Sequence, residues 1–101
     1  MKLWLDDIRP HPEGWARAYT AEQAIELISS NTVTEISLDH DLGPEEAGTG
    51  YDVACFIEKS AAEGWLNKLV WNIHSQNPIG IKNMIAALKS AERFWLGNVA
   101  T

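Results

Sequence analysis

Apolar residues in this chain fall into short, separated runs with two different periods. Leu3-Trp4-Leu5, Ile36-Ser37-Leu38 and Leu69-Val70-Trp71-Asn72-Ile73 are compact and rich in branched and aromatic side chains, so they read as strands. Trp15 to Tyr19 reads as a further short strand. Elsewhere the apolar positions recur at helical spacing. Ala21, Ala24, Ile25 and Ile28 form one stripe, Val53, Phe56, Ile57 and Ala61 a second, and Ile81, Met84, Ile85 and Leu88 a third. Each stripe opens on a capping signal. Thr20 with Gln23 and Thr49 with Asp52 have capping-box spacing, and Asn77-Pro78 sets a cap before a proline at the first helical position. Ser29 to Asn31 ends the first helix, and Gly64 is the expected C-cap of the second. Phe94, Trp95 and Leu96 are expected to fold the last turns onto the core.

Strands alternating with helices predict an α/β protein with a parallel sheet and right-handed crossovers. The expectation is one domain over residues 1–101, a three-layer sandwich around three or four short strands. A chain of 101 residues supports one hydrophobic core and not two. Trp4, Trp71 and Cys55 are assigned to that core. The lone Cys55 has no internal disulfide partner. No secretory leader is visible, and no apolar run approaches the ~18–20 residues of a membrane span, so a soluble, cytoplasmic protein without a membrane partner is expected. Net charge is −6, from 14 acids against 8 bases. A surface of that sign opposes a long nucleic acid. A small phosphate ligand remains compatible, because a cation held by carboxylates reverses the local field.

Four polar clusters stand where apolar segments stop. They are Asp6-Asp7-Ile8-Arg9-Pro10, Asp39-His40-Asp41, Thr49-Gly50-Tyr51-Asp52 and His74-Ser75-Gln76-Asn77-Pro78. The carboxyl ends of parallel strands share one edge of a sheet, and ligands bind in the crevice there. Asp6, Asp7, Asp39 and Asp41 are candidate ligands for a hard divalent cation, Mg or Mn. Asp6 and Asp7 could instead cap the turn before Arg9-Pro10, with one acid paired to Arg9. His40 and His74 are candidate proton donor and acceptor, with Asp39 beside them; His40 could instead be a partly buried, backbone-bonded histidine. Ser75 and Asn77, the helix start behind them, Gly80 as a point of close approach, and Arg9 form a candidate phosphate seat. In the plainer reading Asn77 and Ser75 serve only the cap and its turn. Tyr51 is a candidate to stack on a ligand ring.

These four motifs, Leu-Asp-Asp-Ile-Arg-Pro, Ser-Leu-Asp-His-Asp-Leu-Gly, Thr-Gly-Tyr-Asp-Val and His-Ser-Gln-Asn-Pro-Ile-Gly, resemble in kind and order the motif series of the cyclic-phosphate-processing receiver-like domains, over about residues 1–90. The resemblance implies a truncated receiver-like, flavodoxin-like fold. It matches Asp6 and Asp7 to the receiver's metal-holding acidic pair and Asp39 to its phosphoacceptor. The stretch between Asp7 and Asp39 leaves no room for a receiver's usual first helix, no lysine stands where a fifth strand would carry one, and His40 and His74 are additions that phosphotransfer does not need. The implied function is metal-dependent hydrolysis of a cyclic phosphodiester on a small nucleotide-like ligand, a cyclic phosphodiesterase-type hydrolase. Two alternatives stay open: a non-catalytic module that sequesters a cyclic nucleotide signal, and a divergent phosphoacceptor receiver. Pairing of two copies into a homodimer is also open.

Overall fold

The computed structural model describes residues 1–100. Strands β1 (Lys2–Leu5), β2 (Trp15–Ala18), β3 (Glu35–Leu38) and β4 (Val70–Ile73) form one sheet in the order β2-β1-β3-β4. All three pairings are parallel. Helices α1 (Ala21–Ser29), α2 (Gly50–Glu63) and α3 (Pro78–Ala100) alternate with the later strands, and a 3-10 turn at Glu45–Ala47 precedes α2. The α/β class and the truncated receiver-like topology are those the sequence predicts.

The number of layers differs from the expectation. Leu3 and Leu5, Ala16 and Ala18, Ile36 and Leu38, Trp71 and Ile73 share one face of the sheet, because side chains alternate along each strand and the register aligns them. That face packs against the helices: α2 lies between α1 and α3 and contacts both. The opposite face carries Lys2, Trp4, Trp15, Arg17, Glu35, Val70 and Asn72 and is covered by no helix among the described residues. The architecture therefore has two layers, not three. Its cause is the direction of the crossovers. The chain passes from β2 beyond β1 to β3, and from β3 to β4, moving the same way across the sheet. Right-handed connections then place α1 and α2 on the same side. The one step in the other direction, β1 to β2, is made by a loop without a helix.

The helix starts follow local chemistry. Thr20 Oγ1 accepts the Gln23 N–H at 3.1 Å, while Gln23 Oε1 accepts the Tyr19 N–H at 2.8 Å, one residue earlier than in a capping box. At α2 the box is complete, with Asp52 N–H on Thr49 Oγ1 and Thr49 N–H on Asp52 Oδ2. Gly64 ends α2 in the left-handed region, at φ 84°. Near the end of α3, Trp95 is buried and donates Nε1–H to the Leu66 carbonyl at 2.9 Å. Its neighbours Phe94 and Leu96 are exposed, contrary to the expectation that all three pack inward. Consecutive helical residues point in different directions, so three in a row cannot share one face.

Gly50 is the tightest joint in the fold. Its N–H donates to the His40 carbonyl at 2.9 Å, and a Cβ there would stand 2.0 Å from the Asp39 carbonyl oxygen and 2.8 Å from Met84 Sδ. The start of α2 is thus pressed directly onto the end of β3. Gly50→Ala is expected to cost at least about 1–3 kcal/mol, the usual range for overpacking. Gly97→Ala, where a Cβ meets nothing within 4 Å, is expected to gain up to about 1 kcal/mol of helix propensity. Urea unfolding midpoints check the pair, and equal midpoints would contradict this packing.

Candidate active site

Leu5, Leu38 and Ile73 are partners across the adjacent strands β1, β3 and β4. Asp6, Asp39 and His74 are the next residue on each. Their backbone N–H groups continue the ladder, Asp39 to the Leu5 carbonyl and His74 to the Leu38 carbonyl, both at 3.0 Å. Because Leu5, Leu38 and Ile73 face the helices, the residue after each falls on the uncovered face. Oxygen and nitrogen atoms of Asp6, Asp39 and His74 lie within 4.8 Å of one another.

Asp6 is 1% exposed and fully hydrogen-bonded. Its Oδ1 accepts the N–H groups of Ile8 and Arg9 at 2.8 and 3.0 Å, and its Oδ2 meets His74 Nε2 at 3.1 Å. Burial alone would raise its pKa. The two backbone donors and His74 more than offset that and hold the carboxyl below the ordinary carboxylate value. His74 is pinned from every side. Its Nδ1 meets Ser37 Oγ at 2.7 Å, and its ring lies flat on Trp4, with centroids 3.9 Å apart and planes 5° from parallel. Burial lowers its pKa, outweighing the opposing pull of Asp6 and Asp39. A neutral ring fits its partners: Nε2–H donates to the Asp6 carboxylate and Nδ1 accepts the Ser37 hydroxyl. Trp4 in turn donates Nε1–H to the Arg9 carbonyl at 3.2 Å, and the Arg9 guanidinium donates to the His74 carbonyl.

A cavity of about 310 Å³ opens over Asp6 and Asp39, lined by these two with Asp7, Ile8, Arg9, Asp41 and Gln76. Asp7 and Asp41 line it but stand outside the Asp6–Asp39–His74 group. His40 belongs to a neighbouring cluster at the rim. Its Nδ1 lies 2.9 Å from Asp41 Oδ1, and Asn77 Nδ2 donates to the same carboxylate at 3.3 Å. The hydrogen bond from His40 lowers the Asp41 pKa; burial opposes it, and Asn77 adds to the lowering. Among the described residues no hydrogen bond engages His40 Nε2.

Several candidates from the sequence serve other ends. Gly80 permits a close approach, but of the His40 ring: a Cβ at Gly80 would lie 2.4 Å from it. Ser75 Oγ accepts the Asn77 N–H, and Asn77 Oδ1 accepts the Gly80 N–H, so these side chains cap α3. Tyr51 lies away from the acids, half-exposed in a cleft between α2 and α3 with Asn83 and Arg93, its hydroxyl pKa raised by contact with Cys55. Trp4, expected in the core, is instead the wall behind His74, and Ser37 and Gln76 are site residues that the sequence alone did not single out. The signal for Trp4 and Ser37 was strand alternation, which puts both on the face opposite Leu3, Leu5, Ile36 and Leu38.

The site sets the sign of the protein's acid sensitivity. Asp6 and His74 both have folded-state pKa values below their ordinary ones, so the folded state binds fewer protons than the unfolded chain. The His74 contribution is present in full above 6.5 and is lost as pH falls through its folded value; the Asp6 contribution follows below 3.8. Thermal midpoints measured between about pH 8 and 5 should therefore decline toward acid, and less steeply in His74→Gln. A profile that is flat in the parent protein, or equally steep in the variant, would contradict this.

The model of the family described as cyclic-phosphate processing receiver domain matches residues 1–90 of this chain. No curated protein matches it, and no solved structure does. Among the described residues no helix is long and apolar enough to cross a membrane. A match over nearly the whole chain, on a parallel sheet whose strand ends gather two aspartates and a histidine, places the protein in the cyclic-phosphate processing receiver domain family.

Proposed function

We propose that the protein hydrolyses a cyclic phosphodiester on a small nucleotide-like ligand in the presence of a divalent cation. One observation carries this reading: four aspartates and a single arginine line one cavity, and two of those aspartates, Asp6 and Asp39, lie within 4.8 Å of a His74 ring nitrogen. The lone guanidinium is also spent in part on the His74 carbonyl. Such a cavity repels a phosphate unless a cation is present, and paired carboxylates with an imidazole are a suitable donor set for one. Asp6, Asp39 and His74 would hold it, His74 in its other neutral tautomer, with Nδ1–H donating to Ser37 Oγ and a deprotonated Nε2 left to ligate beside Asp6; the imidazole favours manganese over magnesium, which prefers oxygen ligands. When bound, the ion would supply charge neutralisation and polarisation of the phosphoryl group.

The chain's own groups account for the rest. Asp6, fixed by two backbone donors, and His74, fixed between Ser37 and Trp4, are held rigid. His40 is the group left to move protons. Its Nδ1–H is oriented by Asp41, and its Nε2 has no protein partner among the described residues. It takes a proton from the attacking water and returns it to the ring oxygen as the P–O bond breaks, and the Asp41 carboxylate stabilises the intervening imidazolium. The product is a phosphomonoester with one new hydroxyl.

The test incubates the protein with a panel of cyclic phosphates, with and without Mn²⁺ or Mg²⁺, and identifies products by mass spectrometry. Ring opening is expected only with cation, and Asp39→Asn should abolish both it and Mn²⁺ binding. His40→Ala should lower turnover by roughly 10²–10⁴-fold and leave Mn²⁺ affinity unchanged. Ligand recovered intact from a tight complex would replace hydrolysis with sequestration.

A further inference from the structure

A second cavity, of about 390 Å³, lies beside the first at the β2 edge of the sheet, lined by Arg17, Tyr19, Gln23, Glu26 and Leu27. One hydrogen bond links their linings. Arg17 Nε donates to the Asp6 carbonyl at 3.2 Å, so a residue of the second cavity touches the backbone of a residue of the first. The guanidinium is held in place from its other side by the Tyr19 ring, 4.5 Å from its carbon. The volume is within the range of small-molecule sites.

Its polar groups are complementary in sign and unspent on each other. The ion pairs among the described residues are those of His40 and His74, so Arg17 and Glu26 face one cavity without neutralising one another. Gln23 Oε1 is engaged by the Tyr19 N–H, which leaves its amide protons available. Tyr19 is half-exposed, and Leu27, packed against the core, adds an apolar wall. The occupant that satisfies this set is a flat ring with adjacent donors for a carboxylate and adjacent acceptors for a guanidinium. Guanine has both, N1–H and N2–H₂ beside O6 and N7; adenine has a single exocyclic donor group and no O6.

We propose that this cavity is a nucleobase subsite selective for guanine, with Glu26 accepting from the Watson–Crick edge, Arg17 donating to the O6/N7 side, and Tyr19 and Leu27 packing against the ring. Resting on the function proposed above, this makes the substrate a guanine nucleoside cyclic phosphate, its sugar passing the Arg17–Asp6 contact and its phosphate over the aspartates of the first cavity.

Calorimetric titration of the Mn²⁺-loaded protein tests this with the 2′,3′-cyclic phosphates of guanosine, inosine and adenosine and with base-free glycerol 1,2-cyclic phosphate. Guanosine should bind tightest, about ten- to a hundredfold over adenosine, with inosine, which lacks the 2-amino group, between them. Glu26→Gln, an exposed substitution, should collapse the guanosine-to-adenosine ratio toward one, and Tyr19→Ala should bring the guanosine ligand close to the base-free one. Equal affinity for all four ligands, or ratios that Glu26→Gln leaves intact, would overturn the subsite. If base-free cyclic phosphate is still opened under those conditions, the proposed hydrolysis stands without the subsite. Guanosine binding that depends on Glu26, with no cyclic phosphate opened, would retain the subsite and reject the hydrolysis.

Discussion

The alignment of Leu5, Leu38 and Ile73 across three parallel strands is the constraint on which the candidate site depends. Side chains alternate with a period of two, so a slip of one residue in any strand would turn its terminal polar residue toward the helices and bring a leucine or isoleucine into the cavity. Register is held from the buried side. Leu3, Leu5, Ile36 and Leu38 are completely inaccessible to solvent, and moving any of these pairs out of the core loses about 1.5–3 kcal/mol per side chain. Hydrophobic packing on one face thus fixes the chemistry on the other.

The uncovered face makes that arrangement usable. A sheet flanked by helices on both sides buries polar residues that project from either face. Here the crossovers leave one side open, and Trp4, Ser37 and His74 build a small wall of their own on it. Asp6 illustrates how a carboxylate tolerates near-complete burial at such a place. It accepts two backbone N–H groups from the turn it begins and a third donor from an imidazole held rigid by its neighbours. Unsatisfied, such a group would cost several kcal/mol.

Their surroundings distinguish two histidines that the sequence presents as equals. Both ring nitrogens of His74 are engaged, and its ring is clamped by an indole. His40 is oriented through one nitrogen only, in a slot that exists because residue 80 lacks a side chain. Charge alone does not separate the two rings; their neighbours do.

Local rules determined much of this. Compact apolar runs and the 3.6-residue period located the four strands and three α-helices, and the Thr49–Asp52 box and Gly64 cap set the bounds of α2, because these are interactions between residues close in the chain. The same patterns placed acids and histidines at strand ends. Tertiary structure decided what they do there. Strand order and crossover direction removed the expected third layer, and register brought His74, and not Asp7 or Asp41, into the group with Asp6 and Asp39. Packing between elements far apart in sequence turned Gly80 into a seat for His40 and Trp4 into a support for His74. Such outcomes depend on distances across the fold, and composition and spacing along one strand or helix carry no information about those.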